Sequence, residues 1–307
     1  MPLTRSVILK LASLSWIENF VRHSFLFRPL VHRFVAGNNL TETFQIIEPL
    51  AQNGFCISLD CLGENVKEEK EADQAMQIYI QTLERIAGSP FLDQINISIK
   101  LTECGLDQSE SVAKEHYHKI LETAQKYNIH VRVDMESSHY TKSTLKLVKN
   151  AFIKYKNTGT VLQSSLQRTL MNAKDLIRLG IDVRLVKGAY LEPKEVAYQN
   201  KTEVDQMYLK LAKLLLKEGH NPAIATHDEK ILNELKSFIH KEKIDKDQFE
   251  FQMLYGIRRD LQETLRLEGY RVRIYTPFGE NWYPYFTRRL AERPANLFFV
   301  FKSLFKG

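Results

Sequence analysis

Short apolar segments recur along this chain at roughly 20–40 residue intervals, separated by longer charged stretches with helical periodicity. The apolar segments are residues 55–60, 95–101, 130–134, 160–163, 183–187, 223–227, 249–254 and 272–275. Their length and β-branched content suit strands. The charged stretches run to about residue 87, over 111–127, 142–156 and 168–179, to about residue 218, then over 229–241 and 258–267. Eight strands alternating with helices is the arithmetic of a (β/α)8 barrel. A doubly wound open sheet satisfies the same alternation, because counting strands does not prove closure. We read the chain as an α/β barrel spanning residues 49–307, preceded by an N-terminal helical segment, residues 1–48.

The net charge is +6 and the pI about 9.0. That excess suits an anionic substrate, a phosphate-bearing cofactor or an anionic membrane surface. Nucleic acid is disfavoured, since no Lys/Arg cluster is interleaved with aromatics as in a recognisable module. The three cysteines, Cys56, Cys61 and Cys104, make no metal-ligand spacing and read as reduced thiols in a reducing compartment. No apolar run approaches the ~18 residues of a membrane span. Residues 1–35 are basic, with Glu18 the sole acid, as in a targeting segment. Yet Leu9, Trp16, Ile17, Phe20 and Val21 have the spacing of a packing helix, and both readings stand.

Near the C-terminus, Pro277 and Gly279 end the eighth strand, Asn281 is positioned as an N-cap, and Pro294 ends the helix that follows. Within that helix Tyr285, Arg288, Arg289 and Glu292 share a face, while Tyr283, Phe286 and Leu290 form an apolar stripe to seat it. Adjacent arginines beside a tyrosine suit a planar anion, because each guanidinium can hold a carboxylate bidentately. A basic last turn complementing the helix dipole, with Glu292 as a surface partner, is the plainer reading.

The strands themselves end on Asp60, Lys100, Asp134, Gln163, Lys187, His227, Leu254 (with Gln252 before it) and Tyr275. Any one of them has an ordinary explanation: Asp60 or Asp134 as a helix cap, Lys187 as a solvated charge, His227 as a satisfied structural histidine. In a barrel, however, all converge on the C-terminal rim, where barrel enzymes carry their chemistry. Lys100, Arg184, Lys187, Arg288 and Arg289 outnumber Asp134 and Glu292, so the rim favours an anionic ligand. The chain has no Gly-x-Gly, so a nucleotide would be held by side chains and strand-end amides and not by a glycine-rich phosphate loop. There is no Gly-x-Ser-x-Gly nucleophile, and no metal site is expected. Three functions remain open on these residues: a flavoenzyme, a lyase or aldolase with a Schiff base on Lys100 or Lys187, and a non-catalytic amino-acid-binding barrel.

Six motifs discriminate among them. Ile99-Lys100-Leu101, Val133-Asp134-Met135-Glu136, Arg184-Leu185-Val186-Lys187-Gly188-Ala189-Tyr190, Ala225-Thr226-His227, Gln252-Met253-Leu254-Tyr255-Gly256, and Tyr275 followed by Tyr285-x-x-Arg288-Arg289-x-x-Glu292 occur in order at successive strand ends. Together they resemble the proline dehydrogenase family, over residues 50 to 300. The resemblance implies a distorted (β/α)8 barrel whose last helix lies over the mouth, binding FAD without a Rossmann fold. It implies oxidation of L-proline to Δ1-pyrroline-5-carboxylate by hydride transfer to flavin N5. By the same resemblance Arg288, Arg289 and Lys100 bind the proline carboxylate, and Asp134 holds Lys100. Tyr190, Leu254 and Tyr275 pack on the ring with Tyr285 nearby. Arg184 lies beside N5, and Gln163 meets the pyrimidine edge. Lys187, Gly188, Ala189, Thr226, His227, Gln252 and Glu292 contact the rest of the cofactor. Lys201 reaches the pyrophosphate, although its context, Tyr198 to Lys201, departs from the Thr-Arg-Lys common in the family. Tyr275 favours proline over hydroxyproline.

The chain ends soon after the barrel, which implies the monofunctional form working with a separate pyrroline-5-carboxylate dehydrogenase. Electrons would pass to a membrane quinone. The expected location is cytoplasmic and peripheral to the inner membrane, on the matrix side in a mitochondrion. The aromatic-rich N-terminal helices and the tail at residues 298–306 are the candidate membrane contacts, or else simply pack on the barrel.

Overall fold

The computed structural model describes residues 14–25, 27–63, 66 and 68–292. Helices α1 (Ser15–His23), α2 (Arg28–Phe34) and α3 (Leu40–Gln52) come first. Then β1 (Cys56–Cys61), α4 (Glu69–Ala87), β2 (Ile95–Ile99), α5 (Glu110–Lys126), β3 (Val131–Val133) and α6 (Thr141–Lys154) alternate. They continue with β4 (Thr158–Gln163), α7 (Thr169–Leu179), β5 (Val183–Val186), α8 (Lys201–Glu218), β6 (Ala223–Ala225) and α9 (Glu229–Glu242). The described part closes with β7 (Glu250–Leu254), α10 (Arg259–Leu267), β8 (Val272–Phe278) and α11 (Trp282–Glu292). Each strand pairs in parallel with the next and β8 with β1, so the sheet is a closed eight-stranded barrel and the open-sheet alternative is excluded.

The register sorts the side chains. Ser58 lies beside Asn96 and Tyr275, Ser98 beside Asp60 and Arg132, Arg184 beside Ala223, and Gln252 beside Arg273. These residues share the inner face, since Arg184 on β5 bonds across the barrel to Ser58 on β1. Alternation then sends Ile57, Leu59, Ile97, Ile99, Val131, Leu185, Phe251 and Ile274 outward into the apolar layer under the helices. The barrel therefore has an apolar shell around a polar interior.

β2, β3, β5 and β6 end one or two residues sooner than expected, at Ile99, Val133, Val186 and Ala225, and two other boundaries differ with a visible cause. β8 does not stop before Pro277 but runs to Phe278. Pro277 has no N–H to give, yet its carbonyl accepts from Ala36 N at 2.9 Å and that of Phe278 from Leu62 N at 2.8 Å, so the ladder continues. Helix α5 begins at Glu110 because Ser109 accepts from Val112 N and caps it.

Helix α3, capped by Asn39, runs through the expected division at residue 48. Its Phe44, Ile47 and Ala51 belong to the barrel core. Arg85 of α4 stacks on Phe44 at 4.1 Å, and Arg266 of α10 on Phe55 at 5.7 Å. This corner thus lies between α4 and α10, filling the place an eighth outer helix would take. Helix α11 is elsewhere. Its Tyr283, Phe286 and Leu290 form the expected apolar stripe and pack with Val21, Val31, Phe34 and Val35 of the N-terminal segment. Leu62 and Ile257, which follow the C-terminal ends of β1 and β7, join that cluster and fix α11 at the rim of the barrel. Arg22 ties α1 to the start of α11 through the Glu280 carbonyl at 3.0 Å and stacks on Trp282.

Candidate active site

Buried charges need partners, and the barrel interior supplies them in tiers. At the N-terminal end Arg273 Nε donates to both Glu250 oxygens (2.8 and 3.0 Å), and its Nη1 to the carbonyls of Ile57 and Gln94. Arg132 Nη1 meets Asp182 at 2.9 Å. Burial alone would raise both carboxyls. Arg273 outweighs it at Glu250, and Arg132 with His130 at Asp182, so both sit below the usual carboxylate range.

Arg184 occupies the next tier with every guanidinium nitrogen engaged. Its Nε donates to Gln252 Oε1 at 2.5 Å, Nη1 to Asp134 Oδ1 at 2.6 Å, and Nη2 to Ser98 Oγ at 2.9 Å and Ser58 Oγ at 3.3 Å. The guanidinium also lies 4.9 Å from the Tyr275 ring, whose hydroxyl donates to Asp134 Oδ2 at 2.6 Å. Gln252 in turn donates to Glu250, joining this tier to the one before it.

Toward the rim, Lys100 Nζ pairs with Asp60 Oδ1 at 2.5 Å, both side chains buried. This corrects the expectation that Asp134 holds Lys100. Asp134 spends its two oxygens on Arg184 and Tyr275 and reaches Lys100 as a nearby charge. Burial works against the Lys100 ammonium, but the bonded Asp60 carboxylate and the nearby Asp134 outweigh it and hold its pKa well above the ordinary value. A Schiff-base lysine needs the opposite shift, so Lys100 is built as a fixed cation.

Around the rim, Gln163 donates to the Glu136 carbonyl at 2.8 Å. Gly188 follows β5 at φ +112°, and a Cβ there would fall 2.3 Å from Ser165 Oγ and 3.0 Å from Gln163 Oε1. Ala189 comes next in the same turn. Lys187 is bracketed by Asp205 (2.6 Å) and Asp228 (3.0 Å), and Lys201 meets Asp205 at 2.5 Å. His227 Nε2 accepts from Leu254 N at 2.9 Å, and Thr226 Oγ1 from Asp228 N at 3.1 Å.

The structure thus joins Lys100, Asp134, Arg184, Gln252 and Tyr275 in one buried network, with Gln163, Gly188, Thr226, His227 and Leu254 along its edge. Tyr190 and Lys201 stand outside it, Tyr190 exposed after β5 and Lys201 largely exposed at the start of α8. Arg288 and Arg289 project half-buried from α11, Arg289 at 5.2 Å from the Tyr285 ring. The Glu292 side chain lies outside the described residues. Sequence reasoning passed over Ser58, Ser98, Glu250, Arg273, Asp205 and Asp228, and gave Asp60 no partner. The signal for the inward ones was the strict alternation in Cys56-Ile57-Ser58-Leu59-Asp60 and Asn96-Ile97-Ser98-Ile99-Lys100.

Comparison with known proteins agrees with the barrel fold. The sequence model of the family described as proline dehydrogenase matches residues 43–302. Proline dehydrogenase 2 of Bacillus subtilis (strain 168) is 39% identical over 304 residues, 99% of each chain. The proline dehydrogenase of Deinococcus radiodurans is 37% identical over 308 residues, again 99% of each. Among solved structures, proline utilization A from Bdellovibrio bacteriovorus, inactivated by N-propargylglycine, is similar with a TM-score of 0.79 at 26% identity. That likeness covers 86% of this chain and 32% of that one.

Proposed function

The chain belongs to the proline dehydrogenase family and oxidises proline in the first step of proline catabolism, and we propose that it does so with FAD, yields Δ1-pyrroline-5-carboxylate and passes its electrons to a membrane quinone. The observation that carries this reading is the buried Lys100–Asp60 and Arg184–Asp134–Tyr275 constellation at the strand ends, facing a rim that bears Arg288 and Arg289.

The donor set fits FAD. Lys187 and Lys201, which share Asp205 as a partner, would turn to a pyrophosphate, while Gln163 presents an amide to the edge of a polar ring system and Arg184 a fixed positive charge. The Gly188 turn, closed to any Cβ, keeps the Gly188–Ala189 backbone against Gln163. Thr226, His227 and Glu292 complete the proposed holding set. When bound, FAD would supply the two-electron acceptor. Gly188→Ala is expected to cost about 1–3 kcal/mol of backbone strain. The purified variant should carry far less flavin per protein by visible absorbance, and undiminished flavin would remove Gly188 from the set.

For the substrate, Arg288, Arg289 and Lys100 take the carboxylate, and Tyr190, Leu254, Tyr275 and Tyr285 pack against the ring. Charge-assisted bonds strengthen where water is excluded, so α11 at the rim both binds and orients. The test is an anaerobic titration with L-proline followed by visible absorption. Bleaching of a flavin spectrum is the expected result, and a flavin indifferent to proline, or a colourless protein unresponsive to added FAD, would overturn the reading. Arg288→Lys and Arg289→Lys should each raise the proline KM by about tenfold or more while flavin content stays constant, since lysine lacks the bidentate fork. Unchanged KM in both would remove the carboxylate assignment.

Among the described residues no helix is long and apolar enough to cross a membrane. Contact with the quinone's membrane is proposed through α1. One face of α1 is seated by Val21 and Ile17, while Trp16 and Phe20 are 68% and 58% exposed. The tail at residues 298–306 lies outside the described residues. The product would be consumed by a separate pyrroline-5-carboxylate dehydrogenase.

A further inference from the structure

We propose that Glu103 is a positioning residue for substrate capture: a carboxyl that holds its proton beside Lys100 and thereby keeps the Lys100 charge available to the substrate carboxylate. The inference rests on the reading of Lys100 as a carboxylate ligand.

Glu103 lies three residues beyond Lys100 in the turn after β2 and is buried. The Tyr79 hydroxyl of α4 donates to Glu103 Oε2, and the same phenol oxygen accepts from Lys100 N at 3.4 Å. On the other side stands Gly63, just past β1, where a Cβ would fall 2.2 Å from Glu103 Oε1. The carboxyl therefore lies between α4, the β2 turn and the chain leaving β1, where a side chain at position 63 would crowd it.

The titratable and charged groups facing it are Tyr79 from α4, Asp60 and Cys61 from β1, Lys100 and Cys104 from its own segment, and Glu136 from beyond β3. The other carboxyls near Lys100 have strong partners. Asp60 has Lys100, Asp134 has Arg184 and Tyr275, and Glu136 takes the Thr102 hydroxyl at 2.6 Å and its N–H at 3.3 Å. Four carboxyls thus share this region with two cations, Lys100 and Arg184. Admitting a further carboxylate is costly unless one of the four is neutral. Glu103, with one neutral phenol as its described donor where Glu136 has two donors, is the one suited to it. Burial is the main cause that raises its pKa, to about 8, against the lowering effects of Lys100 and the Tyr79 bond. As pH rises through that value Glu103 ionises and adds a negative charge beside the carboxylate site.

The probe is tetrahydrofuran-2-carboxylate, which keeps the ring and carboxylate of proline but has no amine to titrate. Its inhibition constant in the holoenzyme should be level below about pH 7 and rise about tenfold by about pH 9.5, the scale expected for one like charge several ångströms away. Glu103→Gln should flatten that rise. Tyr79→Phe should move it to higher pH, because the phenol's bond favours the ionised carboxyl. A level wild-type profile, or the same rise in Glu103→Gln, overturns the proposal. Infrared spectra of the wild type provide a second measurement that needs no variant to fold. A protonated-carboxyl C=O band should be present at neutral pH and lost through about pH 8, and its absence at neutral pH also overturns the proposal. Lys100→Met separates the underlying reading, since an inhibition constant unaffected by that change would remove Lys100 as the ligand whatever Glu103 does.

Discussion

Arg184→Ala is expected to lower the unfolding free energy by about 3–5 kcal/mol, the range for removing one partner of a buried ion pair. Alanine leaves Asp134 with Tyr275 as its one remaining described hydrogen-bond donor, and strips Gln252, Ser98 and Ser58 of a shared partner deep in the barrel. Denaturant melts of the flavin-free protein would read this directly. In the loaded enzyme the same change should lower the flavin midpoint potential by about 30–60 mV, since a two-electron couple moves 30 mV for 1.4 kcal/mol of lost charge stabilisation. Arg184→Lys separates the two roles. It restores the charge, and with it part of the potential, but cannot serve Gln252, Asp134 and the serines at once. A variant of wild-type stability and potential would refute both the structural and the cofactor-facing roles.

Arg273→Met should be about as destabilising, again about 3–5 kcal/mol, without touching the rim. Glu250 would remain buried with Gln252 as its described donor and no described countercharge at bonding distance. Adding Glu250→Gln keeps an acceptor for Gln252 while removing the stranded charge, so the double variant should recover most of the loss. The acid limb of stability offers a second check. Glu250 is held below its ordinary value of 4.5, so the pair's contribution is complete above about that pH. It is lost as pH falls through the lowered value. Arg273→Met should therefore lose stability at neutral pH and converge on the wild type in acid. A uniform offset at all pH would mean that lost packing, and not the ion pair, accounts for the effect.

Much of the architecture was legible because it rests on local periodicity. Alternating polar and apolar residues in short strands and the amphipathic stretches between them act over a few neighbouring residues. Spacing alone therefore carries them to the eight-strand pattern and its polar strand ends. The apolar stripe of Tyr283, Phe286 and Leu290 was visible for the same reason. Closure was not, because it depends on β8 meeting β1 across more than two hundred residues.

The partnerships inside the barrel were decided by tertiary structure alone. A strand-end carboxylate carries no mark of which neighbour it will face. Asp60 and Asp134 are equivalent in the chain, yet register hands Lys100 to the first and Arg184 to the second. The same holds for Glu103, an unremarkable glutamate in sequence. It becomes a buried carboxyl between Tyr79 and Gly63 only when α4 and the end of β1 close on the β2 turn. Periodicity sets which face a side chain takes, but long-range packing sets its dielectric and its partners, and those determine its charge.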